Sequence, residues 1–112
     1  VSGSQLPGLE IRGEVDGRAQ RLWLKGELDL VSSGLLETRI AELCTDGASQ
    51  IVLEMGELSF MDSTGLRALL VSQELCSVNA CRLLVGALSP QVTRLLELSG
   101  LGDRLQRVAP GR

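Results

Sequence analysis

The sequence predicts an α/β fold: one domain on a mixed, mostly parallel sheet, entered by an N-terminal β-hairpin, with its helices mainly on one face. Three observations predict it. Two early stretches alternate apolar and polar residues and are joined by Asp16-Gly17. Two later triplets, Ile51-Val52-Leu53 and Leu83-Leu84-Val85, are continuously apolar, as interior strands are. Between and after these, apolar residues recur every three or four positions, the period of an amphipathic helix. At 112 residues the chain can bury one core but not two.

Residues 1–8 carry Ser, Gly and Pro without a period, so they are expected to form a flexible N-terminal segment before a domain spanning residues 9–112. Leu9, Ile11 and Val15 then alternate with Glu10, Arg12 and Glu14, the pattern of a half-buried strand. Asp16-Gly17 supplies the hairpin turn, and a second strand over Arg21–Lys25 sets Leu22 and Leu24 against Arg21, Trp23 and Lys25. Trp23 is expected on the less covered sheet face. Leu36, Ile40 and Leu43 mark the first helix, with Ser32 or Ser33 as its N-cap and Asp46-Gly47 as its end. A second helix runs from Ser63 to about Ser77 on a stripe of Leu66, Leu69 and Leu70. Ser89-Pro90 opens the third, with serine as cap and proline where its missing N–H costs nothing, and Gly100 closes it.

Composition narrows the function. The chain contains no histidine, which removes the usual general base near neutral pH and excludes a Ser-His-Asp hydrolase. No apolar run reaches the roughly 20 residues of a membrane-spanning helix, so no membrane partner is expected. Net charge is −3, and the positive residues, nearly all arginines, are scattered, so nucleic acid is not expected as a partner. Cys44, Cys76 and Cys81 form an odd set with no secretory signal segment, which fits a reducing, cytoplasmic setting. Their spacings do not resemble the paired knuckles of zinc sites, so no metal is expected. Cys76 reads as a small core residue and Cys81 as a loop residue, five positions apart and able to bridge if the turn brings them close.

The informative stretch is Leu58-Ser59-Phe60-Met61-Asp62-Ser63-Thr64-Gly65-Leu66, which leads from an interior strand into a helix, the junction where ligands meet open α/β sheets. Asp62, Ser63 and Thr64 all offer oxygens that can cap the helix, and a cap by itself needs no function.

Phe60-Met61-Asp62-Ser63-Thr64-Gly65-Leu66 also resembles the phosphorylation signature of bacterial anti-sigma factor antagonists, which are STAS domains. Gly26-Glu27-Leu28-Asp29 resembles the second strand of that family and the acidic residue after it. Leu88-Ser89-Pro90-Gln91-Val92-Thr93-Arg94-Leu95-Leu96-Glu97-Leu98-Ser99-Gly100-Leu101 resembles its last helix and the segment that follows. The resemblance covers about Leu9 to Val108 and departs at Leu30-Val31 and over Cys76 to Cys81.

The resemblance implies a STAS domain over residues 9–112, with Ser63 as phospho-acceptor and a partner-binding surface of Asp29, Asp62, Thr64, Gly65 and Leu66. It further implies a partner switch. The unphosphorylated form binds an anti-sigma factor serine kinase and frees the sigma factor; phosphorylation of Ser63 turns it off, and a PP2C-type phosphatase resets it. On this reading the chain is no enzyme, has no catalytic residues and needs no cofactor, in keeping with the lack of a Walker-type loop. The alternative keeps the fold and changes the work: a soluble STAS subunit of a lipid-trafficking ABC transporter, docking on an ATPase.

Overall fold

Eight elements and a short 3₁₀ turn follow one another: β1 (Ser2–Leu6), β2 (Leu9–Asp16), β3 (Ala19–Leu28), α1 (Ser33–Thr45), β4 (Gln50–Met61), α2 (Ser63–Val78), β5 (Arg82–Leu88), α3 (Pro90–Ser99) and the turn Gly102–Arg104. The structure is a computed structural model that describes residues 2–6 and 8–108, the first of these stretches by backbone alone. The strands form one sheet in the order β1-β2-β3-β4-β5. β1, β2 and β3 pair antiparallel, whereas β3, β4 and β5 pair parallel.

Local chemistry explains the elements. Gly17, at φ +65°, makes the two-residue turn closed by the Asp16–Ala19 pair. Ser89 accepts from the Val92 amide at 3.3 Å as N-cap of α3, Pro90 is its first residue, and Gly100 ends it in the left-handed conformation. α1 starts differently from expectation: Ser32 precedes it, but its hydroxyl makes no cap bond and instead donates to the Glu27 carbonyl at 2.8 Å.

Parallel neighbours in sequence order, each joined through a helix, put those helices on one face by the handedness of the crossover. That face of the sheet presents Leu22, Leu24, Ile51, Leu53, Met55, Leu83 and Val85, which share one core with Leu36, Ile40, Leu66, Leu69, Val92 and Leu96 from the three helices. The opposite face carries the half-buried Trp23, with the Arg12 and Arg21 guanidinium carbons 5.4 and 6.0 Å from its ring centre. Arg21 also pairs there with Glu54.

Two features depart from the sequence reading. Ser2–Leu6 lies within the first eight residues, expected to stand outside the fold, yet it adds an edge strand to β2. Main-chain donors and acceptors make that pairing, so it needs no side-chain period and leaves none to read. It also makes the antiparallel and parallel pairings equal in number, whereas the four strands expected from sequence give a mostly parallel sheet.

β4, read as a triplet, is 12 residues long. Its pairing with β5 ends at Met55–Leu88, but with β3 it continues, through two register shifts, to Leu28–Met61. β3 and β4 thus run on together past the rest of the sheet. Their ends deliver Asp29 and Asp62 side by side.

Candidate functional site

Asp62, not Ser63, caps α2. Its backbone is extended (φ −109°, ψ −172°), and its Oδ1 accepts from the Gly65 amide at 3.0 Å. Its carbonyl accepts the first helical bond, from the Leu66 amide at 3.0 Å. With the cap already supplied, the Ser63 side chain is left exposed on the first residue of the helix, with no hydrogen-bond partner among the described residues. The amides of Ser63 and Thr64 are orphan donors at the positive end of the helix dipole, a setting suited to negative charge. Arg67, exposed one turn further on, shares the Ser63 side of the helix by its i+4 spacing, a cation that the sequence reading passes over.

Gly65 is buried, and its role is close approach. A Cβ there would press on the Leu28 carbonyl oxygen and lie 2.8 Å from Met61 Cγ, so only glycine lets the first turn of α2 sit against the end of β3. The Asp62 amide donates to the same Leu28 carbonyl, at 3.4 Å. This contact ties the helix start to the Asp29 loop.

Asp29 shapes that loop from within. Its Oδ1 accepts from the amides of Val31 and Ser32, both at 3.1 Å, and its own amide donates to Ser32 Oγ at 3.0 Å. The fold that results turns Leu30 and Val31 outward, 75% and 72% exposed, and Phe60 at the end of β4 is 47% exposed. Three large apolar side chains therefore stand on the segments next to Ser63. Only the sequence departure at Leu30-Val31 hints at them.

Of the residues expected to form the surface, Asp29, Asp62, Thr64 and Ser63 are partly or fully exposed. Leu66 is not. At 4% exposure it belongs to the core, and Gly65 is covered by β3, so these two hold the helix start in place and cannot offer side-chain contact to a partner. Leu66 had to face inward because it continues the stripe of Leu69, Ser72 and Cys76.

The far end of α2 holds a second group of reactive side chains. Cys44 from α1, Cys76 from α2 and Cys81 before β5 bring their sulfurs within 4.8 Å of one another, and Cys44 Sγ and Cys76 Sγ are 3.8 Å apart. Cys76 and Cys81 are both buried; Cys81 lies in the short connection between α2 and β5, the loop position its spacing indicates, and packs into the core from there. Burial pushes the Cys76 thiol well above the ordinary cysteine range and raises that of Cys81.

A sequence model of the STAS domain matches residues 11–110. The anti-sigma-B factor antagonist of Staphylococcus aureus is 32% identical over 78 residues, which cover 70% of this chain and 72% of that protein. Among solved structures, the anti-sigma factor antagonist SpoIIAA in its unphosphorylated form superposes with a TM-score of 0.72 and 27% identity over 89% of each chain. The phosphorylated form of the Bacillus cell fate determinant SpoIIAA gives 0.66 and 26%, over 89% of this chain and 92% of that one.

Proposed function

The chain belongs to the STAS domain family, and from that premise we propose that it acts as an anti-sigma factor antagonist switched by phosphorylation of Ser63. The observation that carries the proposal is the Ser63 hydroxyl: exposed, unbonded and freed from capping by Asp62.

In its unphosphorylated state the protein docks on an anti-sigma factor serine kinase through the start of α2 and the loop after β3. Leu30, Val31 and Phe60 supply apolar area there, while Asp29, Asp62 and Thr64 supply polar contacts, and the sigma factor is released. The kinase then moves the γ-phosphoryl group of ATP onto Ser63 Oγ, with loss of the hydroxyl proton. A PP2C-type phosphatase returns the serine by hydrolysis. In this cycle the chain is ligand and substrate rather than catalyst, and it works in the cytoplasm.

Phosphate adds about −1.5 to −2 charges to a surface that already holds Asp62 and Asp29. In the free protein the orphan amides, the dipole and Arg67 offset that charge, so the fold is kept. In the complex the same charge would have to lose its water against a partner, at a cost of several kcal/mol without a matching cation. Each 1.4 kcal/mol is about tenfold in affinity, so the partner leaves.

The test is incubation with the cognate anti-sigma factor kinase and ATP, followed by peptide mass spectrometry. One phosphate on Ser63, and none in Ser63→Ala, is expected. Incorporation at Thr64 in that variant would move the site, and co-purification with a transporter ATPase in place of a kinase would favour the transporter reading.

A further inference from the structure

Outside the Ser63 region, the described residues contain one cluster of metal-ligating side chains, Cys44, Cys76 and Cys81, and it comes from three separate elements. The sulfurs already lie within 4.8 Å of one another, and the Cys44–Cys76 separation of 3.8 Å is what tetrahedral or trigonal ligands about 2.3 Å from a common ion require. The cluster contains three donors, all sulfur. No carboxylate joins it among the described residues, and the chain has no histidine to do so.

We propose that these three cysteines form a binding site for one monovalent copper ion, held in trigonal thiolate coordination between the C-terminal ends of α1 and α2 and the start of β5. Sulfur donors select soft ions, and a structural zinc site closes with four ligands where this cluster provides three; monovalent copper is complete with three. The electrostatics favour a cation over a free thiolate. Cys44 and Cys76 stand in the last turns of their helices, at the negative ends of two dipoles, with no arginine or lysine bonded to any of the three sulfurs among the described residues. Binding replaces up to three S–H protons with one Cu(I), without any change of oxidation state. Cys44 is only partly buried, which leaves the ion a path in from solvent while Cys76 and Cys81 shield it.

The experiment uses the reduced full chain without oxygen, titrated with Cu(I) carried by bicinchoninate. The protein is expected to remove one copper per chain from the chelator, and X-ray absorption at the copper edge should show three sulfurs and no nitrogen or oxygen. Cys44→Ser and Cys81→Ser should each lose that stoichiometric binding while keeping the far-ultraviolet circular dichroism of the parent. Copper left with the chelator, a shell containing nitrogen or oxygen, or unchanged binding by Cys44→Ser would each overturn the proposal. So would zinc displacing the bound copper from the site.

Discussion

The first turn of α2 exposes a serine hydroxyl over free amides, whereas its last turn buries a thiol against two others. Ser63 and Cys76 sit 13 positions apart on one rod, about 20 Å by helical rise. Between them Leu66, Leu69 and Ser72 lie in the core, so the helix is anchored along its length, its first turn included, and what its start leaves free is the Ser63 side chain and the first amides. Polarity explains the difference. Unpaired N–H groups at the start of a helix stabilise added negative charge, while at the end of α2 the carbonyls of Cys76 and Ser77 are already closed onto the amides of Asn79, Ala80 and Cys81. A phosphate on Ser63, as proposed, would therefore change a surface and leave the packing at the other end alone.

Substitutions at the open end can break that contrast. The largest effect is expected for Gly65→Ala, where the new methyl meets the backbone of Leu28 and cannot be relieved by a rotamer change. Overpacking of this kind should cost about 3 kcal/mol in urea unfolding, and a neutral result would show that the start of α2 is not pinned to β3. Asp62→Ala should cost about 1 kcal/mol through loss of the cap bond to Gly65. Ser63→Ala should change stability by less than about 0.5 kcal/mol, because its hydroxyl holds nothing in place. If Ser63→Ala proved the costlier of the last two, the cap would belong to Ser63 and the hydroxyl would not be free for modification.

These cases also show what a sequence can and cannot reveal here. The caps of α3 were legible because Ser89, Pro90 and Gly100 act within one segment, and the serine at the start of α2 was legible because its neighbours resemble a known signature. The division of labour between Asp62 and Ser63 was not, since either oxygen can cap a helix and only the extended backbone of Asp62 decides. For Leu66 two readings conflicted: its helical phase with Leu69 placed it on the buried stripe, the motif placed it on the partner surface, and the phase decides. β1 left no trace, because edge pairing is a main-chain matter. The cysteine cluster was invisible for a simpler reason: Cys44 and Cys76 are 32 residues apart and meet only because α1 packs on α2.

The central claim is that phosphate on Ser63 acts locally, by its charge at the docking surface. Affinities of the unphosphorylated and Ser63-phosphorylated protein for the same anti-sigma factor kinase, measured by calorimetry beside amide chemical shifts of both free forms, test it most directly. The account predicts binding at least about 100-fold weaker after phosphorylation, equivalent to about 2.7 kcal/mol, with shift changes confined to residues around Asp29 and the first turn of α2. Equal affinities, or shifts spreading through α2 as far as Cys76, would contradict it.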